Sequence, residues 1–328
     1  MAETRHDVLG IGNAIVDVLT HADDAFLERE GLAKGTMTLI DAARADALYA
    51  RMASGVEMSG GSAANTMAGI ASLGGKAAYF GKVRDDQLGG IFAHDIKASG
   101  VHFPTAPATS GAGTARCLIL VTPDAQRTMS TYLGACVELG PDDVDEATVA
   151  ASAVTYLEGY LFDPPGAREA FVKAAGIARR NGRRVALSLS DPFCVDRHRD
   201  ALRLFVREHV DVLFANEVEI LSLTGADDFA GALDTIRGTV PIAALTRSAE
   251  GSVVATIDAV HTVAAAPVAR VVDTTGAGDL YAAGFLYGLT AGRDLAECGR
   301  LGAIAAAEII SHFGARPETP LAGLAHPI

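Results

Sequence analysis

The chain has 328 residues, 49% hydrophobic and 20% charged, with 35 glycines. That is enough apolar mass for one large domain, or a large domain with a small one, and it excludes a disordered or fibrous protein. Lys and Arg total 27 against 40 Asp and Glu, for a net charge of −13, and the basic clusters Arg179-Arg180 and Arg183-Arg184 are short, which argues against a nucleic-acid partner.

In chain order, residues 8–12 read as an apolar strand ending in glycine. Residues 41–52 have helical spacing, with Asp41 as the N-cap. Residues 62–73 are a predicted helix opened by Gly60-Gly61, 77–80 a strand and 87–98 a helix. From 113 to 133 the pattern changes. Residues 114–121 and 128–133 read as a hairpin across the turn 122–125. With 36–40 and 56–59 they predict a small β layer apart from the main sheet. The βα rhythm then resumes, with strands at 154–157, 184–189, 210–214, 242–246 and 252–256. Helices are predicted at 167–180, 200–208, 217–224, 276–289 and 295–310. Repeated βα units predict an α/β fold, a mostly parallel sheet covered by helices on both faces. No linker of Pro, Gly and Ser divides the chain, so the small layer is expected as an insertion. The expected core is 1–16, 61–100 and 136–328; the expected β lid, with its flanking segments, is 17–60 and 101–135.

Four cysteines without a CxxC pair suggest a reduced, cytoplasmic chain. The nine histidines show no metal spacing. No stretch approaches the ~20 apolar residues that span a bilayer, so no membrane partner is expected. GxxxxGK[ST] does not occur, and Gly10-Ile11-Gly12 lacks the third glycine of a dinucleotide fingerprint, with Ile15 in its place.

The most informative run is Asp273-Thr274-Thr275-Gly276-Ala277-Gly278-Asp279, between an apolar strand end and a helix. Small residues at a helix N-terminus let N–H groups approach an anion. A carboxylate beside such a cradle makes sense if Asp279 takes a proton from an alcohol while the cradle holds a phosphate's charge. Three weaker signals accompany it. Gly60-Gly61-Ser62 leads to Asn65, which can hydrogen-bond hydroxyls, although a plain glycine-rich helix start fits as well. Asn13 and Asp17 lie in an apolar stretch, where the carboxylate needs partners such as vicinal hydroxyls or else sits at a surface strand end. Asn216 and Glu219 could hold a hydrated Mg²⁺, or be an N-cap with a first-turn acid.

Taken in order, these runs resemble the ribokinase-like (PfkB) family of carbohydrate and nucleoside kinases over nearly the whole chain. The N-terminal signature is similar to Gly60-Gly61 through Asn65, Ala68 and Leu73-Gly74; the C-terminal one is similar to residues 273–279; and 81–86 with Gly89 resembles a further family stretch. The resemblance implies a three-layer α/β/α core with a β-sheet lid, and transfer of the γ-phosphoryl group of ATP to a hydroxymethyl group. By it, Asp279 is the general base, and the N–H groups of Gly276, Ala277 and Gly278 form the anion hole. Asn216 and Glu219 match the NxxE motif that governs Mg²⁺ and phosphate placement. Thr246 to Gly251 resembles the nucleotide loop, with Ser248 where many members have glycine. Asp273, Thr275 and the loop around Gly314 correspond to a site for a monovalent cation, usually K⁺.

Within the family the N-terminal stretch looks most like adenosine kinases. Asn13 to Asp17 resembles their segment whose Asp binds the ribose 2′ and 3′ hydroxyls, Ser62 is shared with them, and Tyr160 matches an aromatic that stacks on adenine. Glu158 looks more like the sugar kinases, where an acid approaches the sugar. The expected acceptor is therefore a nucleoside, adenosine first; the alternatives are a sugar such as a ketose or 2-keto-3-deoxygluconate, and a non-catalytic binder. Monomer and homodimer both fit.

Overall fold

In the computed structural model, residues 3–124 and 126–325 are described; Ala125 of the predicted turn 122–125 lies outside the described residues. The first half of the chain runs β1 (His6–Ile11), β2 (Ile15–His21), α1 (Asp24–Glu30), β3 (Met37–Leu39), α2 (Ala42–Tyr49), β4 (Val56–Gly60), α3 (Ser62–Ser72), β5 (Ala77–Phe80), α4 (Gln87–Ala98), β6 (Ala115–Val121) and β7 (Arg127–Tyr132). The second half continues α5 (Glu146–Ala150), β8 (Ser152–Glu158), α6 (Pro165–Arg180), β9 (Arg184–Ser188), α7 (Pro192–His209), β10 (Val212–Asn216), α8 (Glu217–Thr224), α9 (Phe229–Arg237), β11 (Ile242–Thr246), β12 (Ser252–Ala255), β13 (Val260–Val263), α10 (Ala277–Thr290), α11 (Leu295–Ile309) and α12 (Leu321–Ala325). Strands β2 and β13 and helices α1, α5, α9 and α12 were not predicted. Helix α7 begins eight residues before its predicted start and is broken at His198, whose backbone is non-helical.

The large sheet has the order β13-β12-β11-β10-β9-β8-β1-β5. It is parallel from β11 to β5, and its last two strands are antiparallel. Successive side chains point to opposite faces, and both faces are apolar. Val8, Tyr79 and Tyr156 pack with Met67 of α3 and Phe285 of α10, whereas Leu9, Phe80 and Leu157 pack with Phe171 of α6 and Ile220 of α8. The result is the ribokinase-like α/β/α architecture. From β1 the chain builds β5 on one side and later β8 on the other. The crevice at the carboxyl ends of β1 and β8 is therefore the switch point where open α/β sheets receive ligands.

A second sheet, β3-β7-β6-β2-β4, holds the four strands predicted outside the main sheet, with β2 among them. On one face Val16, Val18 and Leu118 join the first core beside Leu48 of α2. The other face carries Ile15, Leu19, Cys117, Ile119, Val121 and Met129 as a separate apolar cluster.

Among the described residues, seven helices open on an aspartate whose carboxylate accepts a first-turn N–H: α1, α2, α4, α5, α7, α9 and α11. Each such cap typically contributes about 1 kcal/mol. Helices α3 and α10 differ. Their N-cap residues are Gly61 (φ +97) and Gly276 (φ +78), which have no side chain to cap with, and both helices start at the crevice. No helix among the described residues is long and apolar enough to cross a membrane.

Candidate active site

The α10 terminus is one wall of the crevice. The N–H of Ala277 donates to the Thr274 carbonyl at 3.2 Å, whereas those of Gly276 and Gly278 meet no acceptor among the described residues. Gly276 is bound to be glycine: its φ is left-handed, and a Cβ would lie 3.0 Å from that of Ala315. Asp279, in the first turn, accepts from Ser62 Oγ at 2.6 Å and from Asn65 Nδ2 at 3.0 Å. Burial pushes its carboxyl above the usual range, against those two bonds and the charge of Arg316. Ser62 and Asn65 thus hold the carboxylate, and Asn65 Oδ1 is left buried with no partner among the described residues.

The opposite wall is the joint between β4 and α3. A Cβ on Gly60 would lie 2.3 Å from Asp17 Oδ2, and one on Gly61 would lie 2.1 Å from the Asn13 carbonyl oxygen. The two glycines therefore make room for the β2 segment. Asp17 stands on the sheet face turned to the crevice, coupled by charge to Asp279, Arg127 and Arg316, and burial raises its carboxyl to about 7. Glu158, at the end of β8, is engaged elsewhere. Its Oε1 accepts from Asn13 Nδ2 (2.7 Å), and its Oε2 from the Asn13 N–H (3.3 Å) and the Ala63 N–H (2.9 Å). It caps α3 from another strand and fixes the turn after β1. An acid reaching for a sugar, as the resemblance to sugar kinases implied, is not what this geometry provides. Asn13 Oδ1 remains buried beside it, with no partner among the described residues.

At the end of β10, Asn216 and Glu219 form a reciprocal capping box. Asn216 Oδ1 accepts from the Glu219 N–H (2.9 Å), while Glu219 accepts from Asn216 Nδ2 (2.7 Å) and its N–H (2.9 Å). Both readings of this pair meet here. The cap is made, yet Glu219 is 6% exposed and its carboxyl rises to about 7 through burial, with Asp191 and Asp279 adding to the rise. A cation would relieve that field. The pair brings oxygen donors and a buried carboxylate to that field, which fits Mg²⁺ held through water and phosphate oxygens. Asp191, missed in the sequence, follows Ser190, whose φ of +66 is unusual for a non-glycine residue. Tyr160 lies on the core rim, 40% exposed, and burial with the charges of Asp191, Asp279, Glu158 and Glu219 raises its hydroxyl far above the ordinary value. Between β11 and β12, Thr246 pairs in register with Ser252. Ser248 has φ +50, which explains why glycine suits that position. Gly251 (φ +86) leaves 2.1 Å between a built Cβ and the Val263 carbonyl oxygen.

Asp273, Thr275 and Gly314 come together, but the carboxylate is already satisfied. Asp273 Oδ1 accepts from the Thr275 N–H (3.1 Å) and Oγ1 (2.8 Å); Oδ2 accepts from the Gly314 N–H (3.2 Å) and lies 2.6 Å from Arg127 Nη2. Arg127 comes from β7 of the second sheet. Its side chain is 8% exposed, and its Nη1 donates to Thr275 Oγ1 at 3.2 Å. A monovalent cation at Asp273 would have to displace this guanidinium, so the residues in this arrangement do not fit K⁺. Arg127 gave no signal in the sequence.

A buried carboxylate beside a helix terminus whose first N–H groups are free, at the switch point of an α/β/α sheet, is an arrangement suited to phosphorylating an alcohol. Comparison with known proteins places it further. The family described as pfkB family carbohydrate kinase matches residues 34–321. The chain is similar to the solved structure of adenosine kinase from Sinorhizobium meliloti (55% identity, TM-score 0.91, 98% of this chain and 99% of that one). It is also similar to a probable sugar kinase from Rhizobium etli (53%, TM-score 0.91, 98% of each). Yeast adenosine kinase is 29% identical over 93% of this chain and 94% of its own length. The chain belongs to the pfkB family of carbohydrate kinases, and is an ATP-dependent kinase acting on an alcohol group.

Proposed function

We propose that the acceptor is a nucleoside, phosphorylated on its 5′-hydroxymethyl group, with adenosine the first candidate. The observation that carries this reading is the composition of one sheet face. Asp17, Cys117, Thr131 and Leu39 form one cross-strand row, and Leu19, Ile119, Met129 and Met37 form the next. Among the described residues Asp17 has no hydrogen-bond donor, so its oxygens are available to two vicinal hydroxyls. The adjoining row is apolar, and Met37 and Leu39 are half exposed or more. A free sugar would bring hydroxyls to this row; a nucleoside brings the flat face of a base. Tyr160 and Phe193, the latter 72% exposed, offer aromatic faces on the core side. The engagement of Glu158 takes away the feature that favoured a sugar. The relatives include adenosine kinases.

In this reading Asp17 orients the ribose and Asp279 accepts the proton of the 5′-hydroxyl. Ser62 and Asn65 keep both oxygens of Asp279 in place. The N–H groups of Gly276 and Gly278 meet the charge that develops on the transferred phosphoryl group. The segment from Thr246 to Gly251 receives the nucleotide. Asn216 and Glu219 would hold Mg²⁺ through water, and the ion would supply positive charge beside the phosphates. We propose the division into a core (1–16, 61–100, 136–328) and a lid (17–60, 101–135) that closes over the acceptor and excludes water. Its support is that the second sheet carries Asp17 and Arg127. The four cysteines are unpaired, which supports a cytoplasmic setting.

The test is a screen of ATP-dependent phosphorylation across adenosine, other nucleosides and free sugars, with products identified by mass. Turnover of a ketose or 2-keto-3-deoxygluconate above every nucleoside would replace this reading with the sugar kinase. No turnover on any acceptor would favour a binder.

A further inference from the structure

Arg316 lies in the loop between α11 and α12. Its Nε and Nη2 donate to the Ser59 carbonyl at 3.1 and 2.9 Å, Nη2 also to Ser59 Oγ at 2.8 Å, and Nη1 to the Ala64 carbonyl at 2.7 Å. Ser59 is the penultimate residue of β4, and Ala64 lies in the first turn of α3. One side chain therefore grips both ends of the glycine joint that bounds Asp17 and leads to Ser62 and Asn65. From the far side, Asp95 of α4 accepts from the Ser59 N–H (2.8 Å) and Oγ (2.6 Å). Among the described residues the guanidinium forms no direct ion pair, and its hydrogen bonds go to neutral oxygens. Its positive charge is left to act on the carboxylates around it.

The preceding residues of the same loop touch the other wall. Gly314 donates its N–H to Asp273 at 3.2 Å, and Ala315 lies against Gly276. Three consecutive residues thus join the anion-binding turn to the root of the lid.

We propose that Arg316 is a positioning residue for phosphoryl transfer, locking the β4–α3 joint and supplying the enclosed positive charge that lets Asp17 and Asp279 stand anionic side by side. The proposal rests on the roles given above to those two carboxylates. The groups in its field are Asp95, Asp17, Tyr79 and Asp279. For Asp17 the other charges are Arg127 and Asp279. Glu158, Glu219, Tyr156 and Tyr160 are coupled to Asp279 from β8, its following turn and α8. Burial disfavours both anions, and Arg316 is the first charge that opposes it at each.

The test compares Arg316→Gln, which keeps amide donors but no charge, with Arg316→Lys, which keeps the charge and loses the fork. Folding is checked by thermal melting, and the acceptor is whichever compound the wild type phosphorylates. Arg316→Gln should move the acid limb of the kcat profile to higher pH and raise the acceptor KM roughly tenfold, leaving the KM for ATP unchanged. Arg316→Lys should leave the acid limb in place and raise the acceptor KM. A wild-type profile and KM in Arg316→Gln overturns the proposal, as does an equal rise in both KM values. If Arg316→Gln does not fold, Arg316→Lys decides: a shifted limb with an unchanged acceptor KM overturns it. An unaffected Asp279→Asn enzyme, or a wild type inactive on every acceptor, would instead overturn the underlying site reading and this inference with it.

Discussion

Ser62 Oγ donates to Asp279 Oδ1 at 2.6 Å across 217 positions of sequence. The bond ties the start of α3 to the start of α10 and gives the base a fixed direction. Ser62→Ala should lower kcat by roughly ten- to hundredfold, the range for a hydrogen bond to a charged group, with little change in acceptor KM. Ser62 favours the anion, so its loss moves the acid limb of the kcat profile to higher pH. A profile identical to wild type would exclude Ser62 from holding the base.

Asp17 is expected to bind the acceptor as an anion. Its carboxyl is raised to about 7, so acceptor KM should rise as the pH falls through that value. Asp17→Asn should remove this dependence and raise acceptor KM by about 10²-fold at pH 8, with the KM for ATP unchanged. Steady-state kinetics in both substrates check it.

Gly60→Ala places a methyl group 2.3 Å from an Asp17 oxygen, and Asp17 must move. The expected result is a folded enzyme with the acceptor defect of Asp17→Asn and an intact ADP affinity. Calorimetric titration of ADP into the variant separates this from general misfolding.

The Arg127 pair with Asp273 predicts indifference to monovalent cations. Replacing KCl by tetramethylammonium chloride should leave kcat within about twofold. A tenfold activation by K⁺ would show that a cation reaches Asp273.

The sequence was most readable where the chemistry is local. The turn from Gly276 to Asp279 declares itself because small residues, a helix start and a carboxylate are adjacent, and helix α4 and strands β5 and β11 follow from short, clean apolar patterns. Strand β2 is harder to read. Asp17 breaks an otherwise apolar run from Ile15 to Leu19, which leaves no clean strand pattern. Ser62 and Asn65 were visible as polar groups near a ligand, but that they hold Asp279 depends on a contact between two distant helices. Glu158 shows the same limit. Its acid was evident, whereas the three donors that engage it come from two other segments. Arg127 and Arg316 gave no local signal at all. Each is a single arginine in a polar loop or strand end, and its meaning appears only when the second sheet folds over the first.

The central claim is that the acceptor carries a base, and the most direct measurement is kcat/KM for adenosine against D-ribose under the same Mg·ATP. Both offer a hydroxymethyl group, and only one offers a base for the apolar row of Leu19, Ile119, Met129 and Met37 and for the aromatic face of Tyr160. Stacking of about 1–3 kcal/mol predicts a preference for adenosine of roughly 5- to 150-fold from the base alone. Equal values, or a preference for ribose, would contradict the account.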